Sequence, residues 1–175
     1  MVVATQNPIE SQGVYPLPEA QLDRFLFKLL VDYPSLEEEA KIVARFGQRQ
    51  GPVRAAEFGV SAVVDAARLA AASKALDQVT VAQEIVDYVV RLVRTTRQHS
   101  EIASGASPRA AVLLAGAARA RAALEGRDYV IPDDVKALAT SVLRHRLTLS
   151  PAAEIEGRAI EALVSELVDS TEAPR

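Results

Sequence analysis

The feature that most restricts the fold is the long alanine-rich stretch that begins at Val60. Apolar residues recur there at the helical spacing of about 3.6 residues, and no segment alternates as a half-buried strand would. This pattern is typical of an all-helical bundle. It predicts helices at residues 60–75, 81–97, 108–125, 132–145 and 152–168.

Local residues mark the ends of several predicted helices. Two helix starts have the spacing of a capping box, Ser35 with Glu38 and Thr80 with Gln83. Ser107 suits an N-cap and Pro108 the first helical position, so these two residues fix the start of the helix at 108–125. Gly126 follows this helix in the usual place of a C-terminal glycine.

The first 50 residues have a different pattern. Apolar runs at 1–4 and 25–31 are typical of buried parallel strands, and the first run ends on Thr5, Gln6 and Asn7. Ligands of open α/β sheets lie beyond the carboxyl ends of the strands, so these polar side chains are where a ligand would bind. Glycines, a proline and alternating charges at 51–59 indicate a linker. We therefore predict an α/β part at 1–50, a linker at 51–59 and a helical domain at 60–175.

Composition excludes several functional classes. The net charge of -3 leaves no surplus of cations to neutralise phosphates, so no nucleic-acid binding is expected. The chain has no cysteine, and His99 and His145 stand apart from carboxylate clusters, so we predict no metal site. No apolar run approaches the roughly 20 residues of a membrane span, and the N-terminus lacks the basic flank of a signal peptide. We expect a cytoplasmic protein.

Arg109 is the residue with the clearest anion-binding position. It falls in the first turn of the predicted helix at 108–125, where the helix dipole opposes a cation. Backbone N–H groups and a neighbouring guanidinium converge well on phosphate oxygens, so this helix start suits a phosphate. The alternative is a solvated arginine that reaches back to a carboxylate. The spacing alone leaves both interpretations open.

Six motifs, in order along the chain, closely resemble the MoxR family of AAA+ ATPases. They are ATQNP at 4–8, YPLPEAQLDRF at 15–25, GASPRA at 105–110, GRDYV at 126–130, PDDV at 132–135 and LRHR at 143–146. The resemblance implies that residues 1–50 are the C-terminal part of an α/β ATPase core, with two strands and one or two helices. The same resemblance implies that 60–175 are its helical lid, which makes the chain mainly α.

The resemblance also assigns roles to individual residues. Asn7 matches sensor 1, which orients water near the γ-phosphate, although an Asn before proline is otherwise a turn former. Arg24 matches the arginine finger, which stabilises charge on a neighbouring subunit's γ-phosphate; the alternative is a surface contact with Glu19 or Asp23. Arg109 matches sensor 2, with Ser107 and Pro108 beside it at the nucleotide.

Members of this family form rings, here expected to be hexamers, and use ATP with Mg²⁺. They act like chaperones that mature or activate client proteins, often with a partner that bears a von Willebrand factor A domain. No G-x-x-x-x-G-K-[ST] phosphate loop occurs in this sequence, so the resemblance implies the C-terminal part of such an ATPase, inactive by itself. Two alternatives remain, a non-catalytic helical protein-interaction module and a DNA-handling AAA+ motor, and the acidic charge disfavours the motor.

Overall fold

The computed structural model describes residues 2–6, 17–48, 51–52 and 54–174. Their contacts group them into two compact units, one made by residues up to Lys28 together with those from Val79 onward, and one made by Leu29–Gln78. The elements of the first unit are α1 (Glu19–Leu22), α4 (Gln83–Thr95), β1 (Ile102–Ser104), α5 (Pro108–Leu124), α6 (Pro132–Leu143), β2 (Thr148–Leu149), α7 (Pro151–Ile155) and α8 (Ile160–Ser170). Those of the second are α2 (Leu36–Phe46), a 3-10 helix (Ala55–Phe58) and α3 (Ala66–Leu76).

Helices α4, α5, α6 and α8 enclose the hydrophobic core of the first unit. α5 contacts α4 and α6 and buries mainly small side chains, such as Ala110, Ala118 and Ala122, around Leu114. Small residues let neighbouring helices approach closely, and larger residues such as Tyr88 and Leu92 of α4 fill the remaining space. The predicted mainly helical fold is confirmed, and α5 begins and ends within one residue of the predicted helix.

A small antiparallel sheet joins the two loops that flank the helices of the core. β1 pairs with β2 through Ile102 opposite Leu149 and Ser104 opposite Thr148. The sequence analysis expected no strand in this region, because strands of two or three residues are too short to show alternation. The sheet ties the loop that leads into α5 to the loop that follows α6.

The second unit has local order but no buried helical side chain among its described residues. The capping box at the start of α2 is confirmed, since the Ser35 N–H donates to Glu38 Oε2 at 2.8 Å and Ser35 Oγ accepts from the Glu38 N–H. Phe46 stacks on Phe58 with ring centroids 6.0 Å apart, and the Arg45 guanidinium lies 4.3 Å from the Phe58 centroid. These contacts connect α2 to the 3-10 helix.

Both strands predicted in the first 50 residues are corrected by the structure. Residues 2–6 and 25–31 have no β pairing with any described residue. The backbone of the second run is instead held by the first unit: Lys28 N–H donates to Ser141 O at 3.0 Å, and the carbonyls of Phe25 and Leu26 accept from Arg146. A strand needs a hydrogen-bonded neighbour, and here side chains take the place of one.

Three predictions about helix ends are also wrong. The helix predicted at 60–75 begins at Ala66, because the Asp65 side chain accepts from the Arg68 N–H at 2.7 Å and caps it. Thr80 forms no capping box, since its backbone pairs with the segment around Tyr129. The helix predicted at 152–168 is divided into α7 and α8, because Gly157 at φ 71° adopts the left-handed conformation that ends a helix.

The grouping of contacts does not follow the predicted domain boundaries. Residues 29–50, predicted to belong to the α/β part, group with 51–78 in the second unit, whereas the segment up to Lys28 groups with the helices from Val79 onward. The predicted boundaries were drawn from composition, which does not detect contacts between distant segments. The domains at 1–50 and 60–175 stay a prediction.

Asp134, in the first turn of α6, pairs with Arg121 of α5 and with Arg127 in the loop that follows α5. Its side chain is only 2% exposed. It accepts two hydrogen bonds from Arg127, at 2.6 and 2.8 Å, and one from the Ile131 N–H at 3.0 Å. Burial raises the pKa of Asp134, but the hydrogen bonds from Arg127 and Ile131 outweigh it and hold the pKa below its ordinary value.

We predict that Asp134→Ala lowers the free energy of unfolding by about 3 kcal/mol, because a buried, paired carboxylate is removed and its donors lose their acceptor. Urea unfolding measures the change. The matched control is Asp133→Ala, the exposed neighbour in the same helical turn, which should cost less than about 1 kcal/mol. Equal losses for both variants would contradict a special role for Asp134.

The pH dependence of this contribution follows from the lowered pKa. An Asp with a lowered pKa adds stability above its unfolded value of about 3.9, and that stability is lost as the pH falls through the folded value. The difference between wild type and Asp134→Ala should therefore shrink when unfolding is measured below about pH 4. A difference that stays constant down to that range would show that the charge of Asp134 is not the cause.

Candidate functional site

Arg24 lies on the short segment that follows α1, and its side chain is exposed. No described residue forms a hydrogen bond or ion pair with this guanidinium. The contact with Glu19 or Asp23 that the alternative interpretation predicts is therefore not seen in the described part of the chain. Glu19 instead accepts from the Thr148 hydroxyl at 3.1 Å, which attaches α1 to β2.

Arg146 fixes the backbone on both sides of Arg24. Its Nη2 donates to the carbonyls of Asp23, at 2.9 Å, and of Phe25, and its Nη1 donates to the carbonyls of Leu26, at 3.2 Å, and of Val142. Its Nε donates to Asp23 Oδ1 at 3.0 Å. A guanidinium has five N–H donors, and these acceptors use all of them. We call residues 23–26 the clamped segment.

The Arg146 side chain is 1% exposed, which is exceptional for a cation. Burial lowers the pKa of Arg146, and the hydrogen bond and charge of Asp23 oppose that effect. Such a buried cation is tolerated only when a carboxylate and carbonyl oxygens replace its water. The burial of Arg146 therefore requires that the clamped segment stay in place.

His145 adds a second contact to the same segment. Its Nε2 lies 2.9 Å from the Phe25 carbonyl, so this nitrogen carries the proton and donates. Its Nδ1 is buried with no partner among the described residues. Burial lowers the pKa of His145, because the charged form would be desolvated beside Arg146. The neutral ring thus stabilises the clamped segment without adding a charge.

The Asp23 carboxylate connects the clamped segment to the start of α5. Ser107 Oγ donates to Asp23 Oδ2 at 3.3 Å, and Arg109 Nη1 lies 3.8 Å from the same oxygen. The Arg109 side chain is 54% exposed, so most of its guanidinium faces solvent. The Asp23 carboxylate thus contacts Arg109, and Asp23 directly precedes Arg24 in the sequence.

The start of α5 is itself fixed against the end of α4. The buried Thr96 hydroxyl accepts from the Ala106 N–H at 3.0 Å, and Arg97 Nε donates to the Ala106 carbonyl at 2.7 Å. Gly105 approaches α4 so closely that a Cβ atom would lie 2.7 Å from the Thr96 carbonyl oxygen and 2.8 Å from Arg97 Cα. Position 105, in the loop that leads to Arg109, therefore accommodates only glycine.

The predicted site residues have different outcomes in the structure. Pro108 is the first residue of α5 and Ser107 its N-cap, but the Ser107 hydroxyl donates to Asp23 instead of capping the helix. Arg109 contacts a carboxylate, as the alternative interpretation predicts, while keeping an exposed face. Asn7 lies outside the described residues. The roles of all of these residues at a nucleotide stay predictions.

The sequence does not reveal the contacts of Asp23 and Arg146. The basic run of Arg144, His145 and Arg146 predicts a helix end, and α6 does end at Leu143. Helical periodicity is lost beyond that point, so nothing in the sequence shows that Arg146 turns inward. The only available signal was that both residues fall inside family-like motifs, LDRF at 22–25 and LRHR at 143–146.

The arrangement suits an anion with several oxygen atoms. Arg109 is largely exposed and can donate to phosphate oxygens, and the α5 N-terminus adds a positive dipole end. Arg24 is exposed and has no partner among the described residues, so it is also available to an anion. A depression of about 200 Å³ is lined by Asp23, Ser107 and Arg146 among others. Within the described ranges no group of three or more acidic or histidine side chains has an arrangement for a metal ion.

We predict that Arg146→Lys lowers the free energy of unfolding by about 2–4 kcal/mol, because an ammonium has three donors and cannot reach all of the carbonyls. Amide exchange at residues 23–28 should accelerate, since the carbonyls of the clamped segment lose donors that hold the backbone in place. Arg144→Lys is the matched control, because Arg144 makes one longer ion pair, 3.7 Å to Glu161. Unchanged exchange in Arg146→Lys would contradict the clamp.

Comparisons with known protein families agree with this architecture. Residues 94–167 match the family model "AAA lid domain", and residues 1–27 match the model "ATPase family associated with various cellular activities (AAA)". The first match covers α5, α6, α7 and most of α8, and the second covers the clamped segment. Within the described ranges, no helix is both long and apolar enough to cross a membrane.

Several curated proteins are similar over nearly the whole chain. The uncharacterized protein YeaC of Bacillus subtilis is 44% identical over 99% of the chain and 52% of its own length. The chaperone MoxR1 of Mycobacterium tuberculosis is 42% identical over 100% of the chain and 47% of its own length. Protein MoxR of Paracoccus denitrificans is 34% identical over 97% of the chain and 53% of its own length.

A solved structure shows the same fold. The crystal structure of a candidate ATPase from Cytophaga hutchinsonii superposes with a TM-score of 0.83 at 32% identity, over 98% of this chain and 53% of that one. The chain spans about half the length of the curated relatives it matches. The match to the lid model and the similarity to these relatives agree with each other. The chain belongs to the MoxR family of AAA+ ATPases.

Proposed function

We propose that the chain is the C-terminal part of a ring-forming ATPase that uses the energy of ATP hydrolysis to remodel client proteins. Arg24 is its arginine finger, Arg109 its sensor 2 residue with Ser107 and Pro108 beside it, and Asn7 its sensor 1 residue. The family membership supports the ATPase activity, and the observation that carries the residue assignment is the clamp by Arg146.

A catalytic arginine needs a fixed backbone and a free guanidinium. Arg146 holds the carbonyls of residues 23, 25 and 26, so the backbone around Arg24 is fixed from both sides. The Arg24 guanidinium is exposed and unpaired among the described residues. A preorganised donor of this kind loses little entropy or solvation when it contacts the transition state. A surface arginine with no role would need no such support.

The proposed reaction is hydrolysis of the terminal phosphoanhydride. Water adds to the γ-phosphorus, the bond from that phosphorus to the β,γ-bridging oxygen breaks, and ADP and phosphate leave. Arg24 of one subunit stabilises the charge that develops on the γ-phosphate oxygens at its neighbour, and Asn7 orients the water. Arg109 and the start of α5 bind phosphate oxygens. We assign no Mg²⁺ ligand to the described residues.

The partners follow from the family and from the names of its members. One relative is named a chaperone, which supports a client protein as the object of the work. We propose a hexameric ring, because the finger must reach a nucleotide bound to another subunit. A partner that bears a von Willebrand factor A domain is part of the same proposal.

We predict that the purified 175-residue chain releases no phosphate from ATP, because its sequence has no phosphate loop to hold the β- and γ-phosphates. A coupled phosphate assay compares the chain with a buffer blank. Release above the blank that rises with protein concentration would contradict the proposal that the catalytic centre needs a further region.

A second prediction concerns the arginines in the full-length ATPase, in which the region upstream of residue 1 is restored. Arg24→Ala should lower kcat by about 10³-fold with little change in ATP affinity, because the finger acts on the transition state. Arg109→Ala should also weaken ATP binding, because this residue contacts ground-state phosphate. Steady-state kinetics and a fluorescent ATP analogue measure the two effects.

The matched control is Arg94→Ala, an exposed arginine on α4, which should change neither quantity by more than about twofold. Mixing Arg24→Ala subunits with subunits that lack the phosphate-loop lysine should restore part of the activity, because some interfaces then pair an intact finger with an intact loop. Full activity in both single variants would reject the assignment and favour the helical-module alternative.

A further inference from the structure

Asp23 is the most connected carboxylate of the candidate site. Its Oδ1 accepts from Arg146 Nε at 3.0 Å, and its Oδ2 faces Ser107 Oγ at 3.3 Å and Arg109 Nη1 at 3.8 Å. Its side chain is 25% exposed, so solvent and ligands reach it. None of the roles given above to Arg24 or Arg109 includes this carboxylate.

The Asp23 carboxylate lies where a bound phosphate would also find hydrogen-bond donors. A carboxylate oxygen lies beside the N-cap hydroxyl of α5 and beside the guanidinium of Arg109, which are the groups a phosphate oxygen would use. Two anions in contact with the same donors repel each other. Phosphate and the Asp23 carboxylate therefore compete for Arg109.

The two arginines that contact Asp23 differ in how strongly they bind its carboxylate. The pair with Arg146 is short and buried, and breaking it would leave an uncompensated buried cation. The pair with Arg109 is long, and that guanidinium is 54% exposed, so it contributes little. An incoming phosphate thus replaces Asp23 at Arg109 while Arg146 keeps the carboxylate in place.

We propose that the Asp23 carboxylate occupies Arg109 in the nucleotide-free state and releases it to phosphate, so that it weakens nucleotide binding by competition. The inference rests on the proposed function. The consequence is that Arg109 binds phosphate less tightly than it would without the carboxylate.

The test is Asp23→Asn in the full-length ATPase. Asn keeps an oxygen acceptor for Arg146 but has no charge, so it no longer competes for Arg109. We expect ATP to bind about threefold to tenfold more tightly, because the charge that competes for Arg109 is gone. The gain in affinity should shrink as salt is raised towards 1 M, because the Debye length falls to about 3 Å.

A double-mutant cycle isolates the pathway. In an Arg109→Ala background, Asp23→Asn should leave ATP affinity unchanged, because the carboxylate acts through Arg109. The matched control is Glu161→Gln, which removes a carboxylate at a similar distance from an arginine, 3.7 Å from Arg144, and should not tighten ATP binding. Thermal unfolding of each variant checks the fold.

Each outcome decides between the alternatives. Asp23→Asn that binds ATP no more tightly than wild type, or that tightens equally without Arg109, would overturn the inference while leaving the proposed function intact. A variant that does not fold would also overturn it, because the carboxylate would then serve Arg146 and the fold alone. A wild-type protein without ATP turnover would instead overturn the proposed function.

Discussion

The burial of one guanidinium, that of Arg146, is the interaction on which the candidate site depends. A cation that is 1% exposed must find acceptors for all of its donors, and it finds them on the Asp23 side chain and on four backbone carbonyls. Three of those carbonyls belong to a segment more than 100 positions earlier in the chain. Because a buried guanidinium without acceptors would be unstable, residues 23–26 must lie where their carbonyls can accept from Arg146.

The two candidate phosphate-binding arginines are positioned by different contacts. Arg24 is positioned through its backbone, and its side chain stays free of described partners. Arg109 is positioned by the start of α5, which Thr96 and the close approach of Gly105 fix against α4. Among the described residues, Asp23 contacts both Arg146 and Arg109.

The helical unit provides the rigid base for this arrangement. Small residues on α5 allow it to pack closely on α4 and α6, and Asp134 of α6 pairs with Arg121 of α5 and with Arg127 in the loop after α5. The loops that carry Gly105 and Arg146 follow α4 and α6 and are connected by the pairing of β1 with β2. The site therefore lies where several fixed helix ends meet, which limits the movement of its arginines.

The sequence by itself determined the helical class, the start of α5 at Pro108 and the family, because periodicity, capping residues and motifs are local properties. It did not determine whether the run at 25–31 is a strand, because that depends on which neighbour forms hydrogen bonds with its backbone, and here Arg146 donates to the carbonyls of Phe25 and Leu26. Nor did it show that Arg146 points inward or that Asp23 joins Arg109. Those contacts link residues that are distant in sequence, and only tertiary packing decides which side chain satisfies a buried charge.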